Sequence, residues 1–461
     1  MAGGRQRNEK LAAMLAEAGM THAGAAQALV RLAREISARE LASIGRSHVS
    51  KWVGGTVPDG PLIPSLLCEV FTRRLERTVT PADLGLPSST EPVIEGVWQT
   101  DTLIALTELG RRDVSIERRQ ALGAMAYQVA ALTLPGTSWW TATAQAPPRP
   151  ASGRRVGRGD LAAIRDMISL FSQVDQRRGG GHGRSAVVQY LTAEVTPLLH
   201  GRFATEELRR EIFSAAAELA YLSGWMAFDA AEQPVAEHWF AIAVKLAAEA
   251  DDAPLTGHIL RAMAHQANDL GHHRAALRVA TASVEGHRYR DASFRERALL
   301  GVVHARTLAT TGDARGAVEA LARAEADLGR AGSDGEEPQR VWFFGEASLA
   351  HETACTLRDS GDLEGAVREF RRSVRTRKAA FPRTHAVTLG YLGEIQAQQG
   401  GIEQACETWS RALDLMDGIR SGRTIQTAKQ MRRALSPYRP RGVSAVHDLD
   451  VRAAAYLSHA L

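Results

Sequence analysis

A short pattern of small residues recurs five times in the second half of this 461-residue chain, and it restricts the fold more than any other feature. In each copy a Gly or Ala is followed five residues later by Ala: Ala231/Ala236, Gly271/Ala276, Gly312/Ala317, Gly361/Ala366 and Gly400/Ala405. Glycine permits the left-handed backbone of a tight turn, and alanine lets two helices approach closely. The pattern therefore predicts successive helix-turn-helix pairs that stack against one another.

A second small residue lies seven positions before each of these turns: Gly224, Ala264, Ala305, Ala354 and Gly393. Together the two sets of positions resemble the tetratricopeptide repeat over roughly residues 212 to 418. Successive alanines of the first set are 40, 41, 49 and 39 residues apart, whereas the standard repeat has about 34 residues. We therefore expect longer helices or loops than the standard repeat has. An Ala-rich helical bundle without superhelical stacking is the alternative.

Composition supports an all-α fold. Hydrophobic residues make up 44% of the chain and aromatic residues 6%, a balance that favours Ala- and Leu-rich helices over sheets. The three cysteines are widely spaced and form no C-x-x-C pair, which argues against a disulfide framework and against a zinc site. The amino terminus is polar and no run of 18 apolar residues occurs. We therefore expect a cytoplasmic protein.

The most informative segment of the amino-terminal part is residues 44–58. Val49 and Trp52 are three residues apart and share one face of a predicted short helix. The opposite face carries polar and basic side chains: Arg46, Ser47, His48, Ser50 and Lys51. Such side chains form hydrogen bonds with base edges and phosphates in the major groove of double-stranded DNA. These five residues are the predicted DNA-binding residues.

Two helices are predicted upstream, from Asn8 to Ala18 and from about His22 to Ile36, the second capped by Thr21. With the segment Val49-Ser-Lys-Trp52, followed by Gly54 and Pro58, the arrangement resembles the helix-turn-helix of lambda-repressor-like (XRE) regulators. The resemblance implies a DNA-binding domain over residues 1–90. This range has eleven Lys and Arg against eight Asp and Glu, so a helical domain whose polar face meets solvent or a protein partner is the alternative.

The rest of the chain divides into a helical connector with a Pro-, Gly- and Arg-rich flexible linker at 91–159 and a repeat domain at 160–461. Three further segments, 81–86, 171–182 and 216–227, resemble actinobacterial regulators that join a helix-turn-helix to tetratricopeptide repeats. This resemblance implies transcription regulation of sporulation and antibiotic production, often by repression. A dimer on two half-sites is the expected form.

The first helix of each repeat is expected to line a concave groove. The residues predicted to bind a peptide or protein there are Tyr221, Trp225, Arg261, His265, Asn268, Arg306 and Arg358. Guanidinium groups bind a carboxylate, a side-chain amide forms hydrogen bonds with a peptide backbone, and an indole packs against an apolar side chain. A polar face that serves dimerisation or solubility is an equally good interpretation.

Two basic clusters lie further along the chain: Arg371, Arg372, Arg375, Arg377, Lys378 and Arg383, and then Arg420, Arg423, Lys429, Arg432, Arg433, Arg439 and Arg441. They could follow a DNA backbone or bind an acidic partner, although such runs are more often exposed helix faces.

Catalytic signatures are missing from the sequence. It contains no Gly-Lys-Ser/Thr phosphate loop, no H-E-x-x-H motif and no nucleophile elbow. His258, His265 and His272 recur every seven residues, but a helix drifts by about 20° per heptad, so they cannot all meet one metal ion. We therefore expect no enzyme activity, no metal and no cofactor. A DNA-binding regulator is the leading hypothesis, and an interaction scaffold without DNA binding is the alternative.

Overall fold

The computed structural model describes residues 7–35, 38–59, 62–75, 79–86, 98–114, 127–147, 149, 153–333, 335–441 and 443–460. Almost all of these residues are helical, and the two strands are only two residues long each. The predicted all-α fold is therefore confirmed. Among the described helices, none has the length and apolar character needed to cross a bilayer.

The amino-terminal unit has its own apolar core, which includes Leu29, Val49 and Phe71. Its elements are α1 (Glu9–Glu17), α2 (His22–Glu35), a 3-10 turn (Arg39–Ser43), α3 (Arg46–Val53) and α4 (Leu62–Leu75). Side chains cap the first two helices, because Asn8 accepts a hydrogen bond from the Leu11 amide and Thr21 accepts one from the Gly24 amide. The predicted positions of α1 and α2 agree with these bounds.

A group of helices, turns and two short strands follows. These are α5 (Thr102–Val114), a 3-10 turn (Val129–Leu132), α6 (Thr137–Ala144), β1 (Arg155–Val156), α7 (Arg158–Arg178), α8 (Gly180–Tyr190), a π turn (Leu191–Val195), α9 (Thr196–Leu199) and β2 (Arg202–Phe203). Residues 153–157 were expected to belong to a flexible linker that buries no apolar surface. Instead β1 pairs in parallel with β2, and Val156 is 1% exposed.

The repeat array consists of paired helices. The pairs are α10 (Glu206–Asp229) with α11 (Gln233–Glu249), α12 (Ala253–Asp269) with α13 (His273–Ser283), α15 (Phe294–Thr310) with α16 (Ala314–Gly329), α17 (Glu346–Asp359) with α18 (Leu363–Thr376), and α19 (Pro382–Gln398) with α20 (Ile402–Leu415). A sixth pair, α21 (Gly422–Leu435) with α22 (Ser444–Ala460), follows without the small-residue pattern. This arrangement of helix pairs is consistent with a solenoid-like stack.

The small-residue pattern has the predicted structural roles. All five turn residues have positive φ angles: 65° at Ala231, 84° at Gly271, 91° at Gly312, 89° at Gly361 and 89° at Gly400. Gly224 and Gly393 lie where the two helices of a pair touch, because an added Cβ would fall 2.7 Å from Phe240 and 2.4 Å from Trp409. The pattern thus marks both the turn and the close contact within a pair.

The long intervals between repeats have two structural causes. The first helices α12, α15 and α19 contain 17 residues each, and the second helix α11 also contains 17. An extra helix, α14 (His287–Arg290), separates the second and third pairs, and a connection with a 3-10 turn at Gln339–Val341 separates the third and fourth. The second insertion accounts for the interval of 49 residues.

The array curls until its last pairs contact its beginning. Both nitrogens at the tip of the Arg383 side chain, at the start of α19, donate to Asp175 on α7 at 3.1 Å. The Gly181 amide donates to the Arg420 carbonyl, and Ser421 donates to Asp229 at the end of α10. These contacts bring the polar residues of the first helices together inside a curved array.

Candidate functional site

Helix α3 has the orientation that its sequence predicts. Val49 is 0% exposed and Trp52 is 5% exposed, and both belong to the core of the amino-terminal unit. The side chains on the other face are all exposed: Arg46, Ser47, His48, Ser50 and Lys51. The described part of the repeat array leaves this face open.

Local hydrogen bonds hold α3 at both ends. The Gly45 amide donates to Nδ1 of His48 at 3.2 Å, so the neutral imidazole carries its proton on Nε2. The Asn8 amide donates to the Val53 carbonyl at 2.9 Å, which ties the start of α1 to the end of α3. Gly55 has a φ of 94° and ends the helix. The position of α3 is therefore fixed without a described side-chain hydrogen bond from Arg46, Ser50 or Lys51.

Two arginines that the sequence did not single out lie beside this face. Arg31 and Arg34 on α2 are exposed and line, together with Gln27 and Arg46, a cavity of about 440 Å³ between α2 and the start of α3. Their spacing of three residues places them on the same side of α2. With Arg46 they form a positive surface next to the amino-terminal end of α3.

The second candidate site is the interior of the repeat array, and it differs from the expected open groove. Of the residues predicted to bind a peptide, Tyr221, Arg261, His265, Asn268 and Arg306 are buried, whereas Trp225 and Arg358 are partly exposed. The expectation assumed that the first helices face open solvent. The curl of the array instead turns these side chains toward one another.

Arg306 links three of the stacked first helices. It lies 3.0 Å from Asp269 on α12 and 3.2 Å from Asp359 on α17. Arg358 also contacts Asp359, at 2.7 Å. Burial opposes ionisation of Asp269, but Arg306, His265 and Arg423 together outweigh burial and lower the pKa of Asp269. The ion pairs are therefore intact at neutral pH, and they bridge the wall of the interior.

Arg261 is buried without a carboxylate partner among the described residues. It donates to the Tyr221 hydroxyl at 2.7 Å, and its guanidinium lies 5.2 Å from the centre of the Trp225 ring. Its Nε has no hydrogen-bond partner in the described part of the chain. Nearby, the amide oxygen of Asn268 accepts a hydrogen bond from Thr310 at 2.7 Å. Arg261 and Asn268 on α12 are thus hydrogen-bonded to neighbouring first helices, Arg261 to α10 and Asn268 to α15.

Four residues outside the predicted set of ligand contacts, namely His351, Arg377, Tyr391 and Arg423, belong to the same interior. His351 is stacked on Tyr391, with ring centres 5.8 Å apart. Burial, and then the charges of Arg377, Arg423 and Arg306, lower the pKa of His351 well below its usual value. The sequence places Arg377 and Arg423 in the two basic clusters, where nothing distinguishes an interior arginine from an exposed one.

The amino-terminal unit contacts the array through two buried carboxyl groups. The Gln128 amide donates to Glu237 on α11 at 2.9 Å, and the Val129 amide donates to Glu69 on α4 at 3.3 Å. Burial, and to a smaller extent the charge of Glu69, raise the pKa of Glu237 well above its usual value. The segment from 127 to 132 is thus held between α4 and the array.

A cavity of about 730 Å³ lies beside α11, and Trp98 and Trp139 contribute to its lining. Lys245 is buried there and donates to the Thr100 carbonyl, and burial lowers its pKa to about 8. The Arg149 side chain bridges Glu249 and Asp101. Across the described ranges, no three His, Cys, Asp or Glu side chains are placed to hold a metal ion.

Comparison with known proteins gives a match in the amino-terminal unit. Residues 11–87 match the family model described as the SP15 N-terminal domain, a range that begins within α1 and ends beyond α4. No helix-turn-helix, XRE or tetratricopeptide-repeat family model is detected. A search of curated proteins finds no match. The match makes the amino-terminal unit similar to that domain.

Proposed function

We propose that this chain is a DNA-binding transcription regulator in which the polar face of α3 enters the major groove of a duplex. One observation carries the proposal: Trp52 and Val49 fix α3 from behind, while Arg46, Ser50 and Lys51 on the other side are exposed. A short helix held in this way presents hydrogen-bonding side chains to base edges at a defined orientation.

The cationic side chains near α3 have different roles in this proposal. Arg46 and Lys51 contact bases or phosphates from α3 itself, and Nε2 of His48 is a further donor. Arg31 and Arg34 on α2 contact the phosphate backbone beside the groove. Each phosphate contact adds affinity that decreases with salt concentration, whereas base contacts add sequence preference.

The repeat domain is the sensing part of the proposed regulator and binds a peptide or protein partner. Glu69 and Glu237 hold the segment 127–132 between the two parts, so a change in the array can alter the position of α4. From the resemblance of the sequence we propose repression of developmental or secondary-metabolism genes in the cytoplasm. Two copies on a two-fold symmetric operator fit this role.

A mobility-shift experiment tests DNA binding by the full chain. The duplex is the region upstream of its own gene, with an unrelated duplex of equal length as competitor. We expect retardation that the unrelated duplex removes only at much higher concentration. Replacement of both Arg46 and Lys51 by Ala should abolish the specific complex. The variant should remain folded, because both side chains are exposed and contribute little to stability.

The second candidate function is an interaction scaffold without DNA binding. It is favoured by the small excess of basic residues in the first 90 residues, eleven against eight acidic ones. A scaffold would give no specific retardation at moderate salt, and the substitution of Arg46 and Lys51 would leave its behaviour unchanged.

A further inference from the structure

The cavity beside α11 has the size of a small-molecule site. Its volume is about 730 Å³, and ligand sites in proteins typically have about 300–1,000 Å³ with mainly apolar and aromatic walls. Its lining comes from residues 98–102 at the start of α5, from α6, from the segment 199–206 that contains β2, and from α10 and α11. A space of this size accepts a small organic molecule but not a folded domain.

Four aromatic rings contribute to the lining, in two pairs. Trp98 and Trp139 pack edge to face with ring centres 5.6 Å apart, and the ring centres of Phe203 and Phe213 are 6.5 Å apart. The indole N–H of Trp139 donates to the Trp98 carbonyl at 2.8 Å, so this ring offers a ligand apolar surface. Because Trp98, Trp139 and Phe203 are only partly buried, a ligand can cover more of them. Aromatic rings pack favourably on other aromatic rings, so the lining favours a planar aromatic ligand.

The buried charges on the α11 side of the cavity compensate one another. Arg149 lies 2.9 Å from Asp101 and 2.6 Å from Glu249. Burial lowers the pKa of Lys245, and the negative charges of Glu249 and Asp101 act in the opposite direction. These cations therefore already have carboxylates of the chain close to them.

The charges on the α10 side are also accounted for. Arg209 lies 2.8 Å from Glu206, and Arg202 is exposed to solvent. A charged ligand would lose its hydration in the cavity, and the paired groups would not compensate that loss. The electrostatics of the lining thus favour a ligand without formal charge.

Hydrogen bonds between elements hold the walls of the cavity in place. Lys245 on α11 donates to the Thr100 carbonyl, which directly precedes the start of α5. Arg209 on α10 donates to the Glu249 carbonyl at the end of α11 at 3.2 Å. The bond from Trp139 to the Trp98 carbonyl ties α6 to the same region. A preformed site loses little conformational entropy when a ligand binds.

We propose that this cavity binds a neutral, planar aromatic small molecule, which packs against Trp98 and Trp139. Gln99 and Thr143 in the lining supply an amide and a hydroxyl that form hydrogen bonds with polar substituents of the ligand. The inference goes beyond the proposed function, because the residues that line the cavity differ from those of the polar interior of the array. It does not depend on DNA binding.

Two fluorescent probes with similar ring systems test the cavity in the full chain. N-phenyl-1-naphthylamine is neutral, and 8-anilinonaphthalene-1-sulfonate carries a negative charge. We expect saturable binding of the neutral probe at a single site and a higher unfolding temperature in its presence. The sulfonate probe should bind about tenfold more weakly or worse, because its charge must be desolvated.

A pair of identical substitutions on α6 locates the binding. Thr143 lines the cavity, so Thr143→Trp fills part of it and should weaken binding of the neutral probe about tenfold or more. Thr141→Trp is the matched control, because Thr141 is exposed and lies outside the lining. Circular dichroism and thermal unfolding confirm that both variants are folded.

A second pair tests the aromatic contact. Trp139→Phe and Trp139→Leu both lose the hydrogen bond to the Trp98 carbonyl, but only the first keeps an aromatic ring. Trp139→Leu should therefore bind the neutral probe about two- to tenfold more weakly than Trp139→Phe. Equal affinities would show that the ring does not contact the probe and would contradict the assignment.

The proposal is overturned if the neutral probe does not bind saturably to the unchanged chain, or if the folded Thr143→Trp variant binds it with unchanged affinity. Tighter binding of the sulfonate probe would overturn the assignment of a neutral ligand. None of these results bears on the mobility shift, and loss of the mobility shift would leave the probe measurements intact.

Discussion

Arg383 forms a double hydrogen bond with Asp175, which precedes it by 208 residues in the chain. The same guanidinium lies 3.2 Å from Asp229, and all three side chains are at most 4% exposed. One cation thus joins α19 to α7 and to the end of α10. This contact closes the curl that brings the interior arginines together.

Removal of the Arg383 charge should destabilise the array strongly. In Arg383→Met two buried carboxylates lose their common partner, and breaking a buried pair costs about 3–5 kcal/mol. Burial already raises the pKa of Asp175 to about 6. The unfolding temperature should fall less at pH 5 than at pH 8, because protonation of a carboxylate relieves the repulsion between Asp175 and Asp229. An equal loss at both pH values would contradict this assignment.

Glu237 lies at the contact between the amino-terminal unit and the array, and its replacement by neutral Gln should change the stability of the protein. Its folded pKa is raised, so this carboxyl favours folding below its unfolded pKa of about 4.5, and the benefit disappears as the pH rises through the folded pKa. Glu237→Gln should therefore raise the unfolding temperature at pH 8, with a gain that shrinks toward pH 4.5. Glu407→Gln, at an exposed position, should change little. A gain that is constant with pH would argue against the raised pKa.

Adding a single methyl group at a close contact between helices should destabilise the fold. Gly224→Ala and Gly393→Ala place a Cβ within 2.7 Å of Phe240 and 2.4 Å of Trp409, and overpacking costs about 1–3 kcal/mol. Gly329→Ala is the control, since it adds a Cβ at the end of α16 with nothing within 4 Å. Chemical denaturation should separate the two groups. Similar stabilities for all three variants would contradict the observed packing.

The indole of Trp52 should be essential for the amino-terminal unit. Trp52→Ala removes a side chain that is 5% exposed, which costs about 3–5 kcal/mol. Hydrogen exchange measured by mass spectrometry should be faster over residues 9–75 in Trp52→Ala. Lys51→Ala is the neighbouring exposed control and should exchange as the unchanged chain does. Unaltered protection in Trp52→Ala would place the indole outside the core.

Local patterns in the sequence predicted the local parts of this structure. The turn at Gly312 and the burial of Val49 each follow from a few neighbouring residues, because backbone sterics and helix periodicity act over short distances. The small-residue pattern did not extend to α21 and α22, so the five predicted repeats did not include the sixth pair, although it lies within the predicted repeat domain. The predicted linker was interpreted from composition alone, which carries no information about the pairing of β1 with β2.

The interior of the array could not be read from the sequence because it depends on how successive repeats rotate. A spacing pattern shows that helices pair, but it does not show that Arg383 meets Asp175. The same uncertainty hid the positions of Arg377 and Arg423 among exposed arginines. It also made buried residues such as Arg261 and His265 look like an open binding groove.

The most direct test of the account is the salt dependence of duplex binding, measured by fluorescence anisotropy on a sequence selected by the full chain from a random pool. The unchanged chain should bind the selected duplex more tightly than a scrambled one, and log Kd should rise linearly with log salt concentration. The double substitution of Arg46 and Lys51 by Ala should remove the sequence preference and lower the salt slope by about 1 for each lost phosphate contact. Arg315→Ala, at an exposed position in the array, should match the unchanged chain. If no sequence is enriched, or if the double variant binds with the same preference and slope, α3 is not a DNA-reading helix.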